Sequence, residues 1–367
     1  VVFRLLNKRA LQEFIDSDEF LQMPLVPITR HRAVSHIHNP RAGDQDILLI
    51  LAMNNGQLAG YAGILPDSLY AVSGASPRHM GWLSCLWVNP TFRQMGLAAE
   101  LVRKALDSWD QAILSADYVP RTEGLYNRST AFTHPVSVEG IRVYLRMDLE
   151  TILAPRHPVF RKSGLLLRTI DRGFNLVLDR RFILLQHHGR GVTFESECCP
   201  DEESARFIAE MNENDLSRRG TDEINWMLAR PWILNKGQAA ELDSQYHFSS
   251  TASTFGYHTY RLRQTDGSIG AFFILSLRDH TLKMPVYYAR PGMEEEVARV
   301  IRGQMIKWRV NTFTTFQPGL VHIFSRSSPG ILTRKIHRRF MVSHMLQPLF
   351  RPDLYVVQDG EGDLAFT

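Results

Sequence analysis

The stretch from Met80 to Trp109 restricts the fold of this chain more than any other. Met80-Gly-Trp-Leu-Ser-Cys-Leu-Trp-Val88 is a mostly apolar run of strand length, rich in aromatic and β-branched residues. Pro90 has no amide hydrogen to give to a sheet ladder and ends the strand. Leu97, Leu101, Val102, Ala105, Leu106 and Trp109 then recur at helical spacing. A strand therefore feeds a helix through a short turn that contains Gly96. The first backbone N–H groups of such a helix have no intrahelical partner and point outward. The helix dipole adds partial positive charge there, and Arg93 adds a full one, which suits a phosphate or diphosphate. Gly96 and Ala98 are small enough to let the backbone approach the anion. An ordinary β–α turn of another α/β protein is the alternative, and it leaves Arg93 and the two small residues without a role.

Arg93-x-x-Gly96-x-Ala98 matches the pyrophosphate signature of the GNAT acyltransferases, (Gln/Arg)-x-x-Gly-x-(Gly/Ala), and Leu86-Trp-Val-Asn-Pro-Thr-Phe-Arg-Gln-Met-Gly-Leu-Ala98 resembles the family's strand–Pro–aromatic–Arg block over its whole length. The resemblance implies an α/β (α+β) fold with a mixed, mostly antiparallel central sheet flanked by helices. It implies an acyl-CoA co-substrate, acetyl-CoA first among them, and no metal. Leu86, Trp87, Val88, Arg93, Gln94, Met95, Gly96, Leu97 and Ala98 are then the cofactor-binding residues. The pantetheine arm would lie along Leu83–Val88 like an added strand. Thr122-Glu-Gly-Leu-Tyr126-Asn-Arg-Ser-Thr-Ala-Phe132 resembles the family's later Leu-Tyr-Glu-Lys-x-Gly-Phe block, one residue longer and without its Gly. This makes Tyr126 the implied proton donor to the leaving thiolate; a Tyr packed under a helix is the other reading.

At 367 residues the chain is too long for one ordinary core, so two domains are expected. The apolar share of 44% and charged share of 22% are those of a globular protein. No apolar run reaches the ~20 residues of a membrane span, no secretory signal stands at the start, and no membrane partner is expected. Three cysteines, two of them adjacent at Cys198 and Cys199, give neither a disulfide framework nor zinc spacing, so a cytoplasmic home is expected. A net charge of +4 fits an anionic cofactor and does not argue for nucleic acid.

Val1–Leu6 is expected as a strand and 8–20 as a helix. Thr29 can cap a short helix through His36. His31, His36 and His38 sit close in sequence without a carboxylate or thiolate at ligand spacing, so a metal site stands beside a solvated or substrate-facing loop. Arg30, His31 and Arg32 lie where the resembled family has its acceptor loop and are substrate-contact candidates. Ile47–Ala52 and Gln57–Leu65 flank Asn54-Asn55-Gly56, a strong hairpin signal. Another strand is expected at Ser68–Ser73, a short one ends at Tyr118, and Ile141–Asp148 alternates like a strand that closes the first domain.

The expected domains are 1–150, a GNAT-like domain with the acyl-CoA site; 151–192, a connector with short strands at Phe174–Leu178 and Phe182–Gln186; and 193–367, a second GNAT-like domain. The third part repeats the plan of the first. Tyr257–Arg263, Asp266-Gly267 and Ser268–Leu277 mirror the first hairpin, Thr281–Ala289 follows as a strand, and Pro291 to Trp308 mirrors Pro90 to Trp109. Its helix opens with Glu294, Glu295 and Glu296, which repel a diphosphate, so the second copy is expected to be degenerate. Ile224–Trp232 is apolar and aromatic and reads as packing. The basic run Thr333–Arg339 is a solvated face or a phosphate contact. Asp359-Gly-Glu-Gly-Asp363 lacks the terminal bidentate Glu of a calcium loop and reads as a turn between two short strands.

Direct attack by an acceptor amine on the thioester is the implied reaction, with a strand N–H at the oxyanion. Trp82–Val88 holds no carboxylate to act as base; Ser84 could order a relaying water, and Cys85 has no His beside it in sequence. The expected activity is N-acyl transfer to a primary amine of a small molecule. Aminoacyl transfer in the manner of Fem-like tandem proteins fits the CoA-type turn less well. A non-catalytic acyl-CoA sensor or scaffold is the alternative of another class.

Overall fold

A computed structural model describes residues 1–70, 76–116, 123–126, 129–133, 135–149, 153, 157, 160, 163–185 and 194–366. The chain divides into two compact units that are interleaved in sequence: unit 1 is Val1–Val138, Cys199–Phe255 and Arg338–Thr367, and unit 2 is Glu139–Cys198 and Gly256–His337. The bounds of these units do not coincide with the domain bounds at 150 and 193 expected from the sequence.

Unit 1 holds β1 (Val2–Leu6), α1 (Lys8–Ile15), α2 (Asp18–Leu21), α3 (Arg30–Ile37), β2 (Leu49–Asn54), β3 (Gln57–Leu69), β4 (Arg78–Val88), α4 (Leu97–Ser108) and β5 (Ile113–Ala116). The helix expected over 8–20 is two helices, because the Ser17 hydroxyl accepts from the Phe20 amide and starts α2 afresh. Thr29 caps α3 through the Arg32 amide, as its sequence position implies. The strand expected to begin at Ser68 is the end of β3, which runs through Pro66 while pairing with β4; residues 71–73 and Tyr118 lie outside the described residues.

β1, β2, β3 and β4 pair antiparallel in that order, and β4 pairs parallel with β5. Successive strand residues face opposite sides, which builds two cores. Leu49, Leu51, Tyr61, Cys85 and Trp87 pack with α1 and α2 through Leu11, Phe14, Ile15 and Phe20. Ile50, Ala62, Ile64 and Leu83 pack with α4 through Leu97, Leu101, Val102 and Ala105.

Unit 2 contains most of β6 (Val136–Tyr144), then α5 (Gly164–Leu185) and β7 (Phe194–Glu197). The connector strands expected at Phe174–Leu178 and Phe182–Gln186 fall instead within helix α5, except Gln186, which lies outside the described residues. Apolar residues occur all round that helix, so no single period betrays it. Between the units in sequence, but within unit 1, come α6 (Glu202–Met211), α7 (Thr221–Ala229), and the short parallel pair β8 (Leu234–Asn235) and β9 (Thr251–Ala252). Unit 2 resumes with β10 (Phe255–Arg263), β11 (Ile269–Arg278), β12 (Thr281–Ala289), α8 (Glu294–Lys307), β13 (Thr312–Thr315) and α9 (Pro318–Arg326).

The plan of unit 1 returns here. β11 pairs antiparallel with β12, and β12 pairs parallel with β13 after α8. Trp109 closes α4 at its C-cap as Trp308 closes α8. Each unit also borrows a strand from elsewhere in the chain. β6, expected to close the first domain, pairs antiparallel with β13 in unit 2. The end of β14 (Leu332–Val342) pairs antiparallel with β5 in unit 1 through Phe340, Met341 and Val342.

The basic run lies on β14, where Lys335 pairs with Glu139, Arg339 pairs with Glu123, and buried Arg338 donates to the Asp359 carbonyl at 2.8 Å. The Asp359–Asp363 turn leads into a short 3-10 helix, Gly362–Phe366, rather than into a strand.

Candidate acyl-donor site in unit 1

The register of β3 on β4 shifts between Gly63↔Cys85 and Ile64↔Leu83, which leaves Ser84 as the extra residue of a β-bulge. Gly63 is required beside it: a Cβ there would stand 2.7 Å from Cys85 Sγ. Among the described residues the ladder from β4 to β5 consists of Gly81↔Ile113 and Trp82↔Leu114. The bulge thus sits just past the point where the two parallel strands part.

β4 ends at Val88, and the side-chain oxygen of Asn89 accepts from the Thr91 amide at 3.1 Å and sets up a 3-10 turn over Pro90–Phe92. Gln94 (φ 72°) and Gly96 (φ 73°) both take the left-handed conformation, and α4 starts at Leu97 with no side-chain cap from Gly96. Val88, Arg93, Gln94, Gly96, Leu97 and Ala98 line a pocket of about 630 Å³, which Phe92, Ala99, Leu125 and Ser129 complete. A cationic side chain and a helix N-terminus thus share one concavity.

Three residues of the expected cofactor set lie apart from this pocket. Leu86 packs against the α4-side core. Trp87 faces the other side of the sheet, stacks on Tyr61 with ring centroids 5.5 Å apart, and borders a second pocket of about 610 Å³ with Met23, Leu25, Leu58 and Glu19. Met95 is exposed at the tip of the turn.

The acceptor-loop candidates divide as well. Arg30 is exposed, pairs with Asp16 and donates to the Ile15 carbonyl, so it closes α1. The His31 ring contacts the Trp232 carbonyl at 2.9 Å and lies 3.6 Å from Asp243. Arg32 is buried: it donates to Ser84 Oγ at 3.0 Å and to the Tyr246 hydroxyl at 3.1 Å, and it stacks 3.9 Å over the Trp232 ring. The Tyr246 hydroxyl in turn donates to Cys85 Sγ at 3.5 Å. Burial pushes the Tyr246 hydroxyl well above its ordinary pKa, so it stays protonated. Because Arg32 takes one lone pair of Ser84, the Ser84 hydrogen is directed elsewhere.

His36 donates to the Ile64 carbonyl at 3.2 Å and stacks on Trp232; burial, then the charge of Arg32, hold its pKa well below the ordinary value, so it is neutral. Among the described residues no group of three or more His, Cys, Asp or Glu could hold a metal ion.

The family model described as "Acetyltransferase (GNAT) family" matches residues 12–119. That span contains β4, the left-handed turn and α4. Residues 12–119 belong to the GNAT family. No curated protein matches the chain. Among solved structures, a GCN5-related N-acetyltransferase from Anabaena variabilis is 11% identical, with 93% of this chain and 72% of that one covered at a TM-score of 0.46. The N-myristoyltransferase of Saccharomyces cerevisiae with bound myristoyl-CoA is 10% identical, with 93% and 82% covered and a TM-score of 0.49. A tandem GNAT protein from the clavulanic acid biosynthesis pathway is 12% identical, with 93% and 98% covered and a TM-score of 0.47.

Tyr126 falls beyond the GNAT match. It is 3% exposed, donates to Ser115 Oγ on β5 at 3.3 Å, and meets Phe132 edge-on. Tyr246 and Trp232 also fall outside the GNAT match, and no sequence signal marks them as partners of Arg32. A buried Arg on α3 needs acceptors and an aromatic face, but nothing in the sequence says which distant segment supplies them. In unit 2 the turn before α8, which corresponds to Arg93–Ala98 before α4, is closed by its own acid: the Gly292 amide donates to Glu294 Oε2 at 2.9 Å.

Proposed function

We propose that this protein is an acyl-CoA-dependent N-acyltransferase, acetyl-CoA being the first donor to test, that acylates a primary amine of a small molecule by direct attack. The observation that carries the reading is the pocket formed by Arg93, the left-handed Gly96 and the uncapped start of α4, beside the point where β4 and β5 part. The diphosphate would sit on Arg93–Ala98. The pantetheine would follow β4 past Val88 toward Ser84, with its amides met by strand backbone groups.

At the bulge, the Ser84 hydroxyl, its acceptor side held by Arg32, is free to donate to the oxygen on which charge develops as the amine attacks. The neutral amine nitrogen bonds to the carbonyl carbon and releases its proton to water, the thioester C–S bond breaks, and the thiolate takes a proton from a donor that water then reprotonates. Tyr126 is the proposed donor and would give up its bond to Ser115 to reach the sulfur. Unit 2, with Glu294 on its own turn, is proposed to bind no second CoA.

The test is a calorimetric titration with acetyl-CoA and with CoA, followed by a screen of amine acceptors. One-to-one binding is expected for the native protein. Arg93→Glu combined with Gly96→Trp should weaken it on the order of a hundredfold, because the anion loses its cation and the left-handed position loses its glycine. Failure of the native protein to bind any acyl-CoA ends this reading. A second reading, a non-catalytic acyl-CoA sensor, is favoured by one observation: Ser84, the residue nearest to a relay for the amine proton, already accepts from a guanidinium. Binding without turnover across the acceptor screen would select it.

A further inference from the structure

Helix α5 presents an outward face that its own unit does not cover. It buries a narrow stripe, Leu167, Asp171 and Asn175. The Asp171 carboxylate accepts from the Leu149 amide at 2.9 Å, Asn175 bonds both the amide and the carbonyl of Met147, and Asp179 pairs with Arg146 at 3.1 Å. Both acids of the helix are therefore engaged with the segment just before it. On the other faces stand Leu165 at 80% exposure, Leu176 at 70% and Val177 at 68%, with Leu166 and Phe174 also exposed. The exposed charges between them are Arg168, Arg172 and Arg180, all positive. Arg172 and Arg180 make no ion pair among the described residues. From Leu165 to Val177 this surface extends about 18 Å at the helical rise.

We propose that α5 is an interfacial helix that lies on an anionic lipid surface. Leucine, valine and phenylalanine would enter the boundary between headgroups and acyl chains, and the arginines would meet the lipid phosphates. Arginine suits this position because its stem lies along apolar surface while the planar guanidinium binds phosphate oxygens. A second copy of the chain is the poorer occupant: two such faces would bring Arg172 and Arg180 together with their counterparts, and no outward acid offsets them. Among the described residues no helix is long and apolar enough to cross a membrane, so α5 lies on the surface rather than through it. This inference does not depend on the acyl-transfer reading. It departs from the sequence-based expectation of no membrane partner, which read this segment as a connector.

Flotation of the full chain with vesicles tests it. The native protein should float with vesicles of phosphatidylcholine mixed with phosphatidylglycerol, float poorly with phosphatidylcholine alone, and be released by salt. Leu165→Gln, Leu176→Gln and Val177→Gln together should weaken vesicle binding roughly a hundredfold. Arg172→Gln with Arg180→Gln should weaken it roughly twentyfold and flatten the salt dependence. These residues are exposed, so circular dichroism and sedimentation should report an unchanged fold. No flotation of the native protein, or flotation unaffected by the apolar triple change, overturns the proposal. So does a native dimer that the triple change converts to monomer without any vesicle binding, which would place a second copy on this face.

Discussion

Asp67→Ala is expected to remove about 3 kcal/mol of stability, read as a shift of the urea midpoint followed by tryptophan fluorescence. The carboxylate is 2% exposed and accepts from four donors in unit 1: Trp82 Nε1 at 2.9 Å, Arg41 at 2.6 Å, Arg219 at 2.7 Å and the Ser68 amide at 2.9 Å. Without it, two partly buried guanidinium groups lose a counter-charge. Arg41 keeps Glu223 at 2.7 Å, and Arg219 keeps the Gly360 carbonyl at 2.5 Å and the more distant Glu361 at 4.0 Å. Asp67→Asn should cost less, since an amide oxygen still accepts from Trp82.

The same cluster sets an acid limit. Burial alone would raise Asp67, but Arg219 and then Arg41 outweigh it and hold the carboxyl at about 2. A folded pKa below the unfolded one means stabilisation that is full above about pH 4 and lost as pH falls toward 2. Glu361 acts in the opposite sense. Its burial, with the charge of Asp67 nearby and only partial relief from Arg219, raises its pKa, so its ionised form opposes folding and that opposition fades as the pH drops through the folded value. Stability should therefore hold or rise from neutral into weak acid and then fall below about pH 4. In Asp67→Ala the fall attributable to this cluster should be gone, which a pH series of urea midpoints will show.

Ser84→Ala should lower kcat on the order of a hundredfold, with little change in the KM for acyl-CoA, once an acceptor has been found by the screen. The bulge puts Ser84 out of register with β3, and Arg32 fixes its hydroxyl through a 3.0 Å bond. Arg32→Lys retains charge but not the fork that reaches both Ser84 and Tyr246, so it should fall between Ser84→Ala and the native protein. Equal loss of kcat/KM through KM alone would assign Ser84 to binding instead. An unchanged kcat in Ser84→Ala would remove it from the chemistry.

The parts of unit 1 legible in the sequence are those whose structure is written locally. Asn54-Asn55-Gly56 turns a hairpin wherever it occurs, and Pro90 and Gly96 punctuate a strand and a helix within twenty residues. The repeat in unit 2 was legible for the same reason. What stayed hidden depends on partners far along the chain. Arg32 looked like one of three adjacent candidates; its neighbours turned out to serve α1 and the Trp232 segment, and its own role rests on Trp232, from a stretch that reads as mere packing, and on Tyr246, which nothing in the sequence singles out. Gln57–Leu65 and Ser68–Ser73 read as two strands, whereas β3 runs on through Pro66 to Leu69, because the sequence does not show Asp67 being held by Arg41 and Arg219. Helix α5 was missed because its apolar residues surround the axis, so neither a period of two nor one of 3.6 stands out.

The borrowed strands have a consequence for biosynthesis. The sheet of unit 1 begins at Val2, yet its β5 edge is completed by Phe340–Val342. A nascent chain on the ribosome holds that edge open until residues 340–342 have emerged, and Arg219 and Glu361 are made long after Asp67. Such long-range closure slows folding and leaves a strand edge available to neighbouring nascent chains. A fragment ending at residue 150 should accordingly aggregate rather than fold. Chaperone dependence during synthesis, more than stability once folded, is then the vulnerable step in the life of this protein.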